Sequence, residues 1–367
     1  MASKPEDKTA DKTSFFKKKR VKQIAIAAFV VFNILIIYWT ASKELSREKT
    51  ENLEGPTFTW WLLLLAVIAF VGALAADIYK YYILIYHFTK RKDLKLAAQT
   101  VFLGRYYDNI TPSAVGGQPF QILHMHKHGH VDNEHAAMIP VIAFVSLQTA
   151  FVLLCFLTII FGSSLVLSDV TYAASFIGIL LIAFAPGTIL FFALKPKVAK
   201  RIASVILKFL HAIHIVRNVE KTEEKTLGEI EKYALTVKQF IKNKKLLVKV
   251  MSLSFAYQFL LYSIPFLVVS AFGGNVGYLP ATMTALTIQA AITFVPTPGN
   301  AGAAEGSFYL VFAHLESGNT FWAMLTWRFF TYYAFIALGG LTYLEMAWRK
   351  KKHTLSIERS GDSTKQE

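Results

Sequence analysis

The chain has 367 residues, 54% of them hydrophobic, and a formal net charge of +15. Only 17% of the residues are charged, whereas soluble domains carry roughly a quarter, so the composition excludes an ordinary soluble protein. The basic residues lie between long apolar runs, which is typical of cytoplasmic loops and argues against a nucleic-acid-binding domain. The single cysteine, Cys155, lies in an apolar run, so we expect no disulfide within the chain and a buried thiol.

The N-terminal part of the chain predicts a short tail followed by two membrane spans. Residues 1–20 are polar and basic and predict a disordered cytoplasmic tail. The apolar run of about Val21–Thr40 has the charge order of a signal peptide, but it is long enough to span and no small-residue cleavage site follows it. We therefore interpret this run as a retained first span, and about Phe58–Tyr79, which begins near two tryptophans, as the second.

The segment Leu96–His124 is too polar for an ordinary span and too apolar for a loop. Near its middle lies the sequence TPSAVGGQP, Thr111–Pro119, which we call the first Thr-Pro motif. Proline lacks a backbone N–H and glycine tolerates positive φ, so the motif predicts an interruption of the helix. We therefore predict a re-entrant hairpin, with one half-helix up to about Asn109 and another from about Pro119.

The middle of the chain predicts two further spans and a basic cytoplasmic segment. Ala136–Phe161 is the third span and Thr171–Leu194 the fourth. The segment Lys195–Lys245 that follows has apolar residues at helical spacing between many lysines, which is typical of amphipathic helices on an anionic cytoplasmic leaflet. A soluble helical hairpin that packs on itself is the alternative for this segment.

The C-terminal part repeats the arrangement of the N-terminal part. The sequence TPGNAGAAEG, Thr297–Gly306, is the second Thr-Pro motif and again interrupts an apolar stretch. The predicted elements are the fifth span Leu246–Phe272, two half-helices Leu279–Val295 and Ala303–Leu315 around Pro296–Gly302, the sixth span Phe321–Trp348 and a basic cytoplasmic tail 349–367.

The order of these elements predicts an all-α integral membrane protein built as an inverted repeat. The membrane domain is expected at 21–348, with halves of about 21–162 and 171–348. Three full spans in a half is an odd number, so the second half must be inverted relative to the first. The two re-entrant broken hairpins would then enter from opposite faces, beside six full spans, and both termini would be cytoplasmic.

The two Thr-Pro motifs predict a binding site near the middle of the membrane. A helix that starts at such an interruption has free N–H groups and the positive end of its dipole, which together suit an anion. Two structural kinks are the alternative interpretation. The predicted substrate-binding residues of the two motifs are Asn109, Thr111, Ser113, Gly116, Gly117, Gln118, Thr297, Gly299, Asn300 and Gly302.

Ionisable residues at membrane depth are costly and usually line cavities or pair with one another, as Arg105, Asp108, Glu305 and Arg328 would here. We predict that Arg328 binds a lipid phosphate, with Glu305 as its partner in the empty state. Arg105 is the matching cation of the first half. The alternatives are a buried ion pair for Arg328 and Glu305, and snorkelling of Arg105 to the interface. Asp77, near the end of the second predicted span, is expected at an interface.

The remaining polar features predict no chemistry. The histidines between His124 and His135 lack a cysteine or carboxylate at a zinc spacing, so we interpret them as a solvated turn rather than a metal site. The sequence has no nucleophile elbow, phosphate-binding loop or dinucleotide fingerprint. We therefore expect no catalytic residue, no metal and no cofactor.

These features resemble the lysylphosphatidylglycerol synthase transmembrane-region family, which includes the flippase portion of the multiple peptide resistance factor. The resemblance rests on Asn109–Pro119, on Pro296–Gly306 and on Arg328, and it covers about Val21–Trp348. Some relatives carry Glu where this chain has Gln118, which puts a carboxylate role at that position in doubt. The full-length resistance factor adds a soluble domain that uses aminoacyl-tRNA, and we expect no such domain here.

The resemblance implies a flippase or transporter in a bacterial cell membrane that moves a phospholipid or other polar lipid headgroup between leaflets. It suggests aminoacyl-phosphatidylglycerol as the lipid and a role in resistance to cationic antimicrobial peptides. The expected partners are that headgroup and anionic inner-leaflet lipids, without nucleic acid; a separate lipid synthase and a homo-oligomer stay open. The alternatives are a phosphatidylglycerol lysyltransferase-type enzyme and an accessory subunit of a separate synthase.

Overall fold

The computed structural model describes residues 58–111, 116–161, 169–213, 218–293, 295–312 and 319–363, together with the single positions Val31, Leu35 and Tyr38. The predicted first span, about Val21–Thr40, therefore lies outside the described residues except at those three positions. Within the described ranges of the unit Pro56–Glu367 the regular elements are helices, which confirms the predicted all-α class.

We number the helices in chain order from the first one that is described at length. They are α1 (Trp60–Thr89), α2 (Leu94–Ile110), α3 (Gly117–Lys127), α4 (Asn133–Phe161), α5 (Asp169–Leu194), α6 (Pro196–Ala212), α7 (Val219–Lys242), α8 (Lys244–Ala271), α9 (Tyr278–Ile292), α10 (Ala303–Phe312), α11 (Asn319–Arg328) and α12 (Ala334–Ser363). A π-helical turn, Phe329–Tyr333, joins α11 to α12.

Four of the described helices are long and apolar enough to cross a membrane. These segments are Trp60–Thr89, Asn133–Thr158, Ser175–Leu194 and Lys244–Ala271. They coincide with the second to fifth predicted spans, so the apolar helices of those spans are confirmed. Six full spans stay a prediction.

Helix α1 is longer than the sequence analysis predicted. It continues from Tyr79 to Thr89 because the residues after Tyr79 remain largely apolar and include no helix breaker. The helix ends at Lys90, which has a left-handed φ of 58° and donates its N–H to the carbonyl of Tyr86. The extension moves Asp77 away from the end of the helix and into its interior.

The region of the predicted sixth span is helical throughout and contains a π-helical turn. Helix α11 ends at Arg328, the π-helical turn Phe329–Tyr333 follows, and α12 then continues through the basic run to Ser363. A π-helical turn inside a helix is rare and is frequently found at functional sites. It falls directly after the arginine that the sequence analysis singled out.

Helices α1 and α8 lie antiparallel along their whole lengths. The N–H of Thr59, before α1, donates to the carbonyl of Ala271 at the end of α8 at 2.8 Å. At the opposite end, Leu84 of α1 packs with Val250 in the same apolar cluster as Leu96 of α2. Helix α2 therefore begins beside the start of α8, whereas α9 begins beyond the end of α8.

The first Thr-Pro motif joins two antiparallel helices, α2 and α3, which we call the first hairpin. The side chain of Gln121 donates to the carbonyl of Thr100 at 3.2 Å, and a Cβ on Gly104 would collide with Gln121. Nearer the turn, the N–H of Gly117 donates to Asp108. The prediction placed the ends of the half-helices within a few residues of those observed.

The second Thr-Pro motif joins α9 and α10, which we call the second hairpin. Ile288 and Ile292 of α9 pack against Ala304 of α10 in one apolar cluster. The turn between the helices contains left-handed backbone at Gly299, Asn300 and Gly302. Insertion of the two hairpins from opposite membrane faces stays a prediction.

Candidate functional site

A cavity of about 420 Å³ lies between the two hairpins, and we call it the central cavity. Both hairpins contribute to its wall, and so does the end of α11. This arrangement was expected for two Thr-Pro motifs that meet at one site. The predicted site residues that line the central cavity are Arg105, Asn109, Gln118, Gly299, Asn300 and Arg328.

Arg328 is 4% exposed and is held on several sides. Its Nε donates to Glu305 Oε1 at 2.6 Å, and its two terminal nitrogens both point to the carbonyl oxygen of Gly299 at 3.3 Å. The guanidinium also lies 4.9 Å from the ring centre of Tyr332, within cation–π distance. The predicted pairing of Arg328 with Glu305 is confirmed, and the carboxylate neutralises a charge that would otherwise be costly to bury.

The second half of the chain fixes this arginine through its own turn. Glu305 Oε2 accepts the N–H of Gly302 at 2.6 Å, so one carboxylate binds both the arginine and the turn. The hydroxyl of Thr297 donates to the carbonyl of Ala301 at 2.9 Å and closes the other side of the turn. Thr297, Gly302 and Glu305 thus hold the turn in shape and lie behind the residues that line the central cavity.

The first half of the chain places a second arginine at the central cavity. Arg105 donates to Asp77 at 2.8 Å, and Lys80 forms an ion pair with the same carboxylate at 2.6 Å. The guanidinium of Arg105 lies 4.5 Å from the ring centre of Tyr257. Arg105 therefore does not snorkel to an interface, since its charged end is bound inside the helical assembly.

The expectation that Asp77 lies at an interface is wrong. Asp77 is 2% exposed and Lys80 is 1% exposed, because α1 continues well beyond both residues and other helices cover them. Burial of this pair is compatible with folding because each charge has an opposite charge within hydrogen-bond distance.

The turn of the first hairpin is built in the same way as the turn of the second. Asp108 Oδ1 accepts the N–H of Gly117 at 2.8 Å, as Glu305 does for Gly302. The hydroxyl oxygen of Thr111 accepts the N–H of Gly116 at 3.0 Å. The amides that were predicted to bind an anion already have acceptors, so a ligand that used them would have to displace these side chains.

Three predicted residues of the first motif thus lie in the turn rather than on the cavity wall, namely Thr111, Gly116 and Gly117. Ser113 lies outside the described residues. Ligand binding by any of these four residues stays a prediction.

Asn300 lines the central cavity and has an unused hydrogen-bonding atom. The residue is 8% exposed and has a left-handed φ of 55°. Its Oδ1 has no hydrogen-bond partner among the described residues, and a buried polar atom without a partner is costly.

The ionisable groups at the central cavity balance one another. One charged cluster surrounds Arg105 and the other surrounds Arg328. Together they contain three cations and three carboxylates, so their formal charges sum to zero. The cations are Lys80, Arg105 and Arg328, and the carboxylates are Asp77, Asp108 and Glu305. Among the described residues no group of three or more His, Cys, Asp or Glu side chains is placed to hold a metal ion.

The cavity also reaches the apolar surface of the helices. Leu181 of α5 belongs to its wall and is 48% exposed. Phe184 and Leu180 lie beside it and are exposed as well, on a helix apolar enough to cross a membrane. One side of the central cavity therefore borders the surface that lipid would contact.

Several residues of the site were not found from the sequence. Lys80 could have been found, because a lysine three residues after an aspartate within an apolar helix indicates a buried pair. Tyr257 and Gln121 carried no such signal. Their positions at the cavity depend on helix packing that the sequence pattern does not show.

The family model described as the lysylphosphatidylglycerol synthase TM region matches residues 23–339. No curated protein and no solved structure matches the chain.

Proposed function

Because the chain belongs to the lysylphosphatidylglycerol synthase transmembrane-region family, we propose that it moves a phospholipid or another polar lipid between the leaflets of a membrane. The observation that carries the proposal is the charged central cavity between two interrupted hairpins of a largely apolar protein. Charged side chains at membrane depth are retained where they serve a function, and a polar headgroup is what such a cavity suits.

Arg328 is the proposed contact for the lipid phosphate. Its Nε bond to Glu305 at 2.6 Å fixes the plane of the guanidinium. Its terminal nitrogens share one carbonyl oxygen at 3.3 Å, which is long for hydrogen bonds and weaker than a bidentate contact with phosphate. A phosphate can therefore replace Gly299 as the acceptor while Glu305 keeps the arginine in place.

The remainder of the headgroup would contact polar groups of both hairpins. Asn109 and Gln118 line the wall contributed by the first hairpin, and Asn300 offers its unused Oδ1 from the second. The acyl chains would stay in the bilayer beside Leu181, where the cavity borders an apolar surface. A polar cavity beside an apolar surface thus suits a lipid that has a polar headgroup and two hydrocarbon chains.

Access from both sides is part of the proposal. The two hairpins begin beside opposite ends of the antiparallel pair α1 and α8, and both line one cavity. Rocking of one half against the other would expose a headgroup first to one face and then to the other, as inverted-repeat transporters do. Aminoacyl-phosphatidylglycerol in a bacterial membrane is our first choice of lipid, because the family is described by the synthesis of lysylphosphatidylglycerol.

We keep two alternatives that the same family allows. One is an enzyme that transfers an aminoacyl group to phosphatidylglycerol, and the other is an accessory subunit of a separate synthase. Purified protein with charged tRNA and labelled phosphatidylglycerol tests the first. Co-purification of a second chain, with no lipid movement by this chain alone, would favour the second.

Loss of the Arg328 side chain should slow lipid movement. Reconstituted Arg328→Ala should move fluorescent phospholipids across liposome membranes about tenfold more slowly than wild type, or worse, since charge-assisted hydrogen bonds contribute about 1.5–3 kcal/mol. Arg328→Lys keeps the charge but not the bidentate fork, so its rate should lie between the two. The measurement is the rate of dithionite quenching of labelled lipid.

Arg349→Ala is the matched control, because this arginine is exposed and pairs with Glu345 on α12. It should transfer lipid at the wild-type rate. Unchanged transfer by both Arg328 variants would remove Arg328 from the mechanism, and mass spectrometry of co-purified lipids would identify the cargo independently.

A further inference from the structure

Helix α6 has an apolar face that no other described element covers. Exposed apolar faces of this kind mark interaction surfaces or membrane contact. Val205 and Phe209 at its centre are each 63% exposed. The exposed apolar side chains, which recur at helical spacing, are Val198, Ile202, Val205, Ile206, Phe209 and Ile213.

The opposite face of α6 packs on α7. Lys200 donates to Glu231 at 2.7 Å, and this hydrogen bond and the lysine charge lower the pKa of Glu231. Ser204 donates to Glu223, and Leu207 between them is buried. These α6 positions are spaced by three or four residues and lie about half a turn from Ile202. The hairpin of α6 and α7 therefore packs through a largely polar face and leaves the apolar face free.

Basic side chains border the free face. At about 100° per residue, Arg201 and Lys208 fall beside the apolar stripe on the same flank, followed by Lys197. All three residues are exposed. A stripe of apolar residues with lysine and arginine along its edge is complementary to an anionic lipid surface.

The position of α6 in the fold points to the same partner. Helix α5 ends at Leu194 and α6 begins two residues later at Pro196, while α7 ends at Lys242 and α8 begins at Lys244. Helices α5 and α8 are both apolar enough to cross a membrane. The hairpin is thus tied at both ends to helices at the level where they leave the bilayer.

Helix α7 keeps this hairpin fixed on the rest of the protein. Val237 and Phe240 of α7 are buried in the apolar cluster that also contains Leu84 of α1 and Ile139 of α4. Helix α6 packs on α7, and α7 packs on the apolar helices. Helix α6 is therefore held beside those helices.

We propose that α6 lies within the headgroup region of the anionic leaflet, with its apolar face on the acyl chains and its basic border on acidic phospholipids. The partner is the lipid surface itself, which is distinct from a lipid in the central cavity. The proposal requires that the chain be embedded in a membrane, but it does not require that the chain transport lipid.

The test places a fluorescent probe on each side of the hairpin in the full-length protein. The native Cys155 is buried, so a Cys155→Ala background leaves one engineered thiol for labelling. Phe209→Cys and, as a second variant, Val205→Cys place an environment-sensitive label on the free face. Glu229→Cys on α7 is the control, because Glu229 is exposed. The labelled proteins are reconstituted with brominated phosphatidylcholine, with and without phosphatidylglycerol.

We expect bromolipids to quench the labels at positions 209 and 205 strongly and the label at 229 little, since interfacial helices bury their apolar face about 5–10 Å deep. Phosphatidylglycerol should increase that quenching, and Lys197→Gln with Arg201→Gln and Lys208→Gln should remove the increase. Equal quenching at all positions would overturn the proposal. So would a label at 209 shielded from both bromolipid and aqueous iodide, because that result indicates a protein partner.

Discussion

The guanidinium of Arg328 makes a short hydrogen bond to the carboxylate of Glu305 and two long ones to the carbonyl oxygen of Gly299. Glu305 binds Nε at 2.6 Å and the turn of the second hairpin through Gly302. Removal of one partner of a buried ion pair leaves the other charged and desolvated, which costs about 3–5 kcal/mol. The pair therefore links the stability of the protein to the geometry of its proposed phosphate contact.

Glu305→Gln should lower the thermal stability of the purified protein strongly, because Arg328 then stays buried beside a neutral amide. The amide oxygen of glutamine can still accept the N–H of Gly302, so the effect isolates the lost charge. Adding Arg328→Gln should restore part of the stability, which a double-mutant cycle of melting temperatures measures.

Glu345→Gln is the matched control for this cycle. Glu345 pairs with Lys95 and Arg349 at the surface, and exposed pairs contribute about 0–1 kcal/mol. Equal melting temperatures for Glu305→Gln and Glu345→Gln would contradict a stabilising pair at Arg328.

Gly299 is required by backbone geometry and by space. Its φ is +58°, and an added Cβ would lie 2.1 Å from a ring carbon of Tyr332. A left-handed conformation costs a residue with a Cβ about 1–2 kcal/mol. Gly299→Ala should therefore lower the melting temperature and slow lipid transfer, because it moves the carbonyl that faces Arg328.

Gly306 provides the comparison, since nothing lies within 4 Å of a Cβ built there. Gly306→Ala in α10 should leave transfer unchanged and keep or raise the melting temperature, given the better helix propensity of alanine. Equal behaviour of the two alanine variants would show that the left-handed φ and the close contact at Gly299 limit neither stability nor transfer.

At this scale the sequence predicted one charged cluster better than the other. Glu305 belongs to the second Thr-Pro motif and Arg328 lies in the following apolar helix, so the pairing of these two opposite charges could be expected and is confirmed. Asp77 was placed at an interface and Lys80 was not considered, because the end of α1 was placed too early.

At the scale of helices, proline and glycine determined what could be predicted. Both interrupted hairpins were found because each interruption contains proline and glycine. Proline lacks a backbone N–H, and glycine tolerates positive φ, so together they predict a break in a helix. The π-helical turn Phe329–Tyr333 carries no such residue. Local sequence therefore did not indicate it.

Close packing of α5 and α9 gives a prediction for these helices. A Cβ on Gly178 would lie 2.0 Å from the carbonyl oxygen of Ala290, which is backbone and cannot rotate away. Small residues at such contacts let membrane helices approach closely. Gly178→Ala should therefore destabilise the protein by about 1–3 kcal/mol, as overpacking does, and lower its melting temperature in detergent.

The same helix contains its own control. Gly187 has nothing within 4 Å of its built Cβ, so Gly187→Ala should be neutral or stabilising by up to about 1 kcal/mol. If Gly187→Ala were the more harmful of the two, the close contact between α5 and α9 would not be what limits stability.

For the whole molecule, the antiparallel pair α1 and α8 predicts on which side each hairpin begins. The link between α1 and α2 contains exposed Lys92. The start of α8 lies beside this link, and its first residue, Lys244, is also exposed. Asn275 follows the opposite end of α8 and is exposed too. Basic residues favour the cytoplasmic side, so the first two positions should be cytoplasmic and the third external.

Single cysteines in a Cys155→Ala background measure this sidedness. Asn275→Cys should react with a membrane-impermeant maleimide on intact cells, whereas Lys92→Cys and Lys244→Cys should react only after permeabilisation. Labelling of all three from one side would rule out hairpins that enter from opposite faces.

The meeting of the two hairpins at one cavity was predicted in outline but not in detail. Repeat, charge and hydropathy suggested that the Thr-Pro motifs approach each other, and both line the central cavity. The side chains between them, such as Tyr257 and Gln258 on α8, are positioned by tertiary packing, which a single sequence does not specify.

The zero formal charge of the central cavity has an electrical consequence. A potential across the bilayer does work of about 2.3 kcal/mol per 100 mV on each elementary charge that crosses it, and charges that move together and sum to zero contribute no net work. At their formal charges the six ionised groups would therefore add no net charge movement to a conformational change that carries them together. In such a movement the voltage acts on the cavity through the net charge of the cargo: a zwitterionic lipid would distribute without bias, and a lipid with net charge would be driven toward one leaflet.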